Sequence, residues 1–168
     1  MKYFIFFILF SINIFAFNIN FENFSSDFEQ KVSNNSLSLS YKGNFIITKN
    51  KAFWNYIKPN NKQIYINNKE IVIIEHELEQ AIYTQLQNLP NLQEIFKQAK
   101  KTSQENYEAR YENIIYNIKI ENDKLENISY KDELENSIVI YFYNQKFNQN
   151  INNEIFIPKI PSHYDIIQ

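Results

Sequence analysis

Apolar and polar side chains alternate with period two through most of the chain. The runs are Leu37, Leu39, Tyr41; Trp54 with Tyr56; Ile114, Tyr116, Ile118, Ile120; Ile128 with Tyr130; and Ile138, Ile140, Phe142. They are rich in β-branched and aromatic residues, which suit a pleated surface with one buried face, so they predict the strands of an antiparallel meander or barrel. Only one glycine, Gly43, and four prolines interrupt the chain. Asparagine must therefore make many of the turns, and Asn34-Asn35, Asn60-Asn61, Asn67-Asn68, Asn122-Asp123 and Asn152-Asn153 each separate apolar segments. Asn tolerates the left-handed backbone of tight turns. Ile64-Tyr65-Ile66, then Asn67-Asn68, then Ile71-Val72-Ile73 predicts a β-hairpin.

Helical spacing is rarer. Phe21, Phe24 and Phe28 fall at i, i+3 and i+7, and Leu92, Ile95 and Phe96 follow Pro90 with similar spacing, so each group predicts an amphipathic helix. Between Ile74 and Leu86 the pattern is ambiguous. Ile74, Leu78, Ala81, Ile82 and Leu86 could share a helix face, and the intervening Glu and Gln residues favour a helix.

The first residues change the picture of where the protein works. Met1, Lys2 and Tyr3 precede a wholly apolar run from Phe4 to Phe10 that continues with little interruption to Phe15, shorter than the ~20 residues needed to span a bilayer. It ends at Ala16, a small residue suited to signal-peptidase cleavage. Residues 1–16 are expected to be a signal peptide and residues 17–168 a single soluble domain beginning at Phe17, on the far side of an inner membrane. An uncleaved anchor is the alternative.

Composition then excludes several functions. No cysteine is present, so the chain has no thiol nucleophile, no thiolate metal site and no cysteine on which to be lipidated. The whole chain carries 17 basic and 19 acidic residues, a balance that gives nucleic-acid phosphates no basic cluster to bind. Fifteen Phe and 12 Tyr are a large aromatic load, which a core could absorb or a concave apolar surface could present to ligands of apolar shape.

Catalytic motifs are lacking. His76-Glu77-Leu78-Glu79-Gln80 approaches the His-Glu-x-x-His zinc pattern, but Gln80 stands where the second histidine ligand belongs. Neither a Gly-x-Ser-x-Gly elbow nor a phosphate-cradling glycine loop occurs. Glu75 and Glu77 read as a solvated strand face. A non-enzymatic protein without cofactor or metal is expected, with a hydrolase of unrecognised site as the weakest alternative.

Several segments, taken in order, resemble one family. They are Phe24-Ser25-Ser26-Asp27-Phe28-Glu29-Gln30-Lys31-Val32; Tyr41 to Ile47 around Gly43; Phe53-Trp54-Asn55-Tyr56-Ile57-Lys58-Pro59; Ile64 to Lys69; Glu75 to Gln80; Ile138, Ile140, Phe142 and Asn150; and Phe156 through Pro161 to Asp165. The order is similar to that of the outer-membrane lipoprotein carrier family LolA. Departures are Lys49 where arginine is common, Asn50 for a proline, and Glu135 and His163 for glycines.

The resemblance implies a mainly β fold with α: an open antiparallel half-barrel, one curved sheet, with amphipathic helices closing its concave apolar face. It makes Ile74–Leu86 a strand, a turn and a strand. It also implies a monomeric periplasmic chaperone that holds the acyl chains of lipidated proteins in a hydrophobic cavity. Cargo would come from an ATP-driven inner-membrane complex and go to an outer-membrane receptor or the outer membrane itself. Candidate cavity residues are Phe45, Trp54, Tyr56, Ile64, Ile66, Ile71 and Ile73, with Leu92, Ile95 and Phe96 as lid and Lys49 as a switch toward partners. A lipid-binding or sensor module of the same shape, without trafficking, is the alternative.

Overall fold

The computed structural model describes residues 21–34, 36–85, 92–122 and 124–168. The expected signal peptide and the Phe17 start lie outside them. Strands β1 (Asn23–Ser33), β2 (Ser38–Thr48), β3 (Lys51–Lys58), β4 (Lys62–Asn67), β5 (Glu70–Glu75) and β6 (Gln80–Gln85) are followed by helix α1 (Leu92–Gln98). Then come β7 (Lys100–Lys101), β8 (Asn106–Tyr111), β9 (Ile114–Glu121), β10 (Lys124–Lys131), β11 (Ser137–Phe147), a 3₁₀ turn (Asn153–Phe156) and β12 (Asp165–Ile167). The strands form one 12-stranded sheet in the order β12-β6-β5-β4-β3-β2-β1-β11-β10-β9-β8-β7. Neighbours are antiparallel except β12, which runs parallel to β6.

Asparagine makes turns as its backbone tolerance predicts. Asn68 and Asn122 adopt φ of 56° and 50°, and the Asn34 side chain accepts from the backbone N–H groups of Ser36 and Leu37 at 3.0 Å each. Glutamate shares the task, since Glu79, Glu112 and Glu135 also have positive φ.

Two helical expectations fail. Phe21, Phe24 and Phe28 do not share a helix: Asn23–Ser33 is β1, held on both sides by β2 and β11. Phe24 and Phe28 are four residues apart, a spacing that puts them on one face in a strand as well as in a helix. Pairing with two neighbouring strands decided the matter. The periodic reading of Ile74–Leu86 as a helix fails as well, because β5 and β6 flank a turn at His76–Glu79. The strand, turn and strand implied by the resemblance hold through Gln85. Among the described residues α1 is the one α-helix, seven residues long, so the described structure contains less helix than the expected several.

The sheet buries both faces unequally. On one, Phe24, Phe28, Phe45, Tyr116, Ile118, Ile128, Ile140 and Phe142 form the main core, joined by Leu92, Ile95 and Phe96 of α1. On the other, Phe53, Tyr65, Val72, Ile74 and Ala81 pack beneath Phe156, with Ile151, Ile155, Ile160 and Tyr164 alongside. The hairpin β4–β5 is covered on both faces, which explains the unbroken apolar run Ile71–Ile74. After the 3₁₀ turn the chain is tied down by the Asp165 N–H donating to the Glu79 carbonyl at 2.9 Å and by Tyr164 Oη lying 2.9 Å from His76 Nδ1.

This C-terminal segment is therefore structural. Phe156→Ala is expected to cost about 3–5 kcal/mol, the usual loss for a buried Phe. Urea unfolding should show a lowered midpoint, whereas an unchanged one would mean that the segment lies outside the cooperative fold.

Candidate functional site

Antiparallel register places side chains of one row on one face, because partners directly across a ladder point the same way. Phe45 pairs with Trp54, Trp54 with Ile64, and Ile64 with Ile73. The next row runs Ala52, Ile66, Ile71. Two residues along β3 from Trp54, Tyr56 joins the same face. All seven strand positions expected to line a cavity thus share the face of the main core.

A cavity of ≈ 130 Å³ opens there, lined by Gln30, Trp54, Tyr56, Ile64, Ile66, Leu92, Tyr116, Ile128, Tyr130 and Ile140. Its walls come from both halves of the sheet. Strands β4 and β9 stand six steps apart in strand order, which is about 29 Å in a flat sheet at ~4.8 Å per strand. Only a strongly rolled sheet brings both to one small cavity. The edge strands β12 and β7 do not pair, so the roll is open. The chain leaving β6 must travel to β7 at the opposite edge, and α1 lies on that path, with Leu92 reaching the cavity.

The expected residues separate into three groups. Trp54, Tyr56, Ile64, Ile66 and Leu92 line the cavity. Phe45, Ile71, Ile95 and Phe96 are buried around it without lining it, and Ile73 is half-buried in its row. Lys49 is exposed in the turn between β2 and β3. Sequence reasoning missed Gln30, Tyr116, Ile128, Tyr130 and Ile140. Four of these stood in alternating runs already read as strands, but alternation does not say which face a rolled sheet encloses.

Beneath the cavity lies an aromatic cluster. Phe45 is stacked on Trp54 at 4.5 Å between centroids and meets Phe24 and Phe142 edge-on at 5.2 and 5.7 Å. Phe28 is edge-on to both Trp54 and Tyr56 at 5.2 and 5.0 Å. Such pairs contribute about 0.5–1.5 kcal/mol each beyond area burial.

The polar groups of the lining residues are three tyrosine hydroxyls, one amide and the Trp54 indole N–H. Tyr56 Oη donates to Gln30 Oε1 at 2.9 Å, and the Tyr116 and Tyr130 rings lie 4.8 Å apart. Burial, then the neighbouring Asp132 charge, pushes the Tyr130 phenol up to about 12. Burial foremost pushes Tyr56 and Tyr116 upward too. All three stay neutral O–H donors through ordinary pH. The arrangement is an apolar container with a few hydrogen-bonding groups, the usual build of a ligand site. His76, in the near-match to a zinc motif, instead faces Tyr164 across the other side of the sheet.

Comparison with known proteins points the same way. A family model described as "Outer membrane lipoprotein carrier protein LolA" matches residues 20–112. The outer-membrane lipoprotein carrier protein of Campylobacter jejuni subsp. jejuni is 45% identical over 167 residues, covering 99% of each chain. That of Helicobacter pylori (strain J99) is 32% identical over 138 residues, covering 82% of this chain and 75% of the relative. Among solved structures, a LolA superfamily protein from Nitrosomonas europaea superposes with a TM-score of 0.57 at 10% identity, covering 85% of this chain and 94% of that one, a likeness of fold alone. A mostly β chain with one open, rolled sheet and relatives of these names belongs to the LolA family of outer-membrane lipoprotein carrier proteins.

Proposed function

We propose that this protein is a periplasmic chaperone that takes the acyl chains of lipidated proteins into the rolled sheet and carries them from the inner to the outer membrane. One observation supports this most: an apolar cavity with walls from β4 and β9 and Leu92 of α1 in its lining. Exposing an acyl chain to water costs about 0.8 kcal/mol per CH₂, so cargo needs such a shield to cross an aqueous space. No chemistry on the cargo is required.

The cavity of ≈ 130 Å³ falls below the ~300–1,000 Å³ typical of ligand pockets, so loading requires it to widen. Helix α1 is the element proposed to move, since a seven-residue helix outside the sheet ladder can shift without breaking any strand pairing. On this reading Leu92, Ile95 and Phe96 act as the lid. Phe96 is buried against Phe21 at 6.3 Å rather than lining the cavity, so a charge there would disturb the core before it disturbed cargo.

The partners on this reading are lipoproteins, an ATP-driven inner-membrane complex that releases them, and an outer-membrane receptor or the membrane itself. Mass spectrometry of material bound to protein purified from periplasm tests the assignment. Acylated peptides would support it, and a protein carrying only free lipids would favour the sensor alternative. N-terminal sequencing of the same material would place the start at Phe17 if residues 1–16 are a cleaved signal peptide.

Lys49 fits a part in hand-over. It is exposed in the β2–β3 turn, where an ammonium can hold a backbone carbonyl of a partner or of the moving lid. Lys49→Leu is expected to load lipoprotein normally and to release it poorly, in an assay that scores the two steps separately. Equal losses in both steps, or none in either, would remove Lys49 from the mechanism.

A further inference from the structure

The cavity is not uniformly greasy, and its polar groups gather toward one end. The chain turns at Pro59–Asn61, Glu112–Asn113 and Asp132–Asn136 on the same end of the sheet, because β3, β8 and β10 run parallel in direction. Tyr56, Tyr116 and Tyr130 each lie within four residues of those turns. Ile66 lies at the opposite end, beside the Asn68–Lys69 turn, and Trp54 and Ile64 stand between. Gln30 reaches the polar end through its bond with Tyr56.

Tyr116 is 1% exposed overall and Tyr130 is half-buried, both line the cavity, and neither hydroxyl is among the buried partnerless atoms of the described residues. A tyrosine hydroxyl that borders an apolar-walled cavity can donate to an oxygen brought there by a ligand. Gln30 adds a third donor, because its Oε1 is taken by Tyr56 and its Nε2 remains. With the Trp54 indole N–H these are neutral donors, and no charged residue lines the cavity, a set that suits neutral carbonyl oxygens better than a phosphate or an ammonium, whose charge would be buried unpaired.

Resting on the acyl-carrier reading, we propose that Tyr116, Tyr130 and the Gln30 amide form a carbonyl-binding band, which receives the ester or amide carbonyls that join acyl chains to the body of the cargo. The band sets the direction of the cargo. Hydrocarbon runs past Trp54 and Ile64 toward Ile66, and the polar body emerges between the Glu112–Asn113 and Asp132–Asn136 turns.

The test compares two diacylglycerol probes with identical saturated chains, one ester-linked and one ether-linked, which differ only in the carbonyls. Full-length mature protein should bind the ester probe about tenfold more tightly, equivalent to about 1.4 kcal/mol. In the Tyr116→Phe/Tyr130→Phe variant the ratio should fall to about two, the remainder belonging to the Gln30 amide. The rings are kept, so packing is preserved, and thermal melting checks that the fold survives. Tyr130→Phe alone, at the less buried position, should lower the ratio about threefold and serves if the double variant is unstable.

Equal affinity of the unaltered protein for both probes would overturn the band while leaving the carrier reading standing. Retention of the full preference in a folded variant would do the same. Binding of neither probe would overturn the acyl-carrier reading itself, and the band with it.

Discussion

Gly43→Ala is expected to lower the melting temperature by roughly 6–12 °C. The single glycine of the chain sits within β2 in extended backbone, so its value is not a positive φ but space. A Cβ at this position would overlap the backbone carbonyl oxygen of Asn55 on β3 and come within 3.0 Å of the Phe28 ring. The register between β2 and β3 slips here, with Lys42 opposite Lys58 but Gly43 opposite Tyr56. Bulges and glycines are the devices that bend a sheet, and an aromatic ring packed over a strand glycine covers the exposed backbone. The obstacle is backbone, which cannot swing aside as a side chain can. Overpacking costs about 1–3 kcal/mol, and a backbone clash belongs at the upper end. At 2–4 °C per kcal/mol for a domain of this size, the stated range follows. A melting temperature within about 2 °C of the parent would show that β2 and β3 can separate at little cost, and Gly43 would lose its role in the curvature.

Ile64→Trp is expected to weaken uptake of an acyl probe at least tenfold while leaving the melting temperature within a few degrees. Ile64 stands between Trp54 and Ile73 in its row and faces the ≈ 130 Å³ cavity. A larger ring there fills empty volume, and cavity filling commonly stabilises by about 0.5–2 kcal/mol, offsetting any local strain. The same ring occupies the path that hydrocarbon must take. Fold and function are therefore expected to separate, with a tenfold loss corresponding to about 1.4 kcal/mol of binding. Displacement of a fluorescent fatty acid measures the first quantity and calorimetry the second. A folded variant that binds as tightly as the parent would place acyl binding somewhere other than this cavity.

Much of the architecture was legible along the chain because its cause is local. Trp54 with Tyr56, Ile114 to Ile120 and Ile138 to Phe142 alternate, and alternation is what a one-sided strand requires. Asn68 and Asn122 turn the chain because their side chains tolerate the left-handed backbone. Leu92, Ile95 and Phe96 make one helix face, and they became α1. The strand residues named for the cavity fell on one face because each run, read in steps of two, can have only two faces. The order of motifs resembling a known family supplied what periodicity could not, namely that Ile74–Leu86 contains a turn.

Pairing between distant segments decided the rest. Phe24 and Phe28 fit either a helix or a strand, and only β2 and β11 on either side made them a strand. Gln30, Tyr116 and Tyr130 became cavity residues because the sheet rolls until β1, β9 and β10 face β3 and β4, a contact between residues far apart in sequence. Phe156 became core because the C-terminal segment returns across the back of the sheet to pair β12 with β6. The sequence by itself determined which side chains share a face, since that follows from the geometry of each strand alone. Which face is enclosed, and which of its residues line a space rather than fill it, depended on the curvature of the whole sheet.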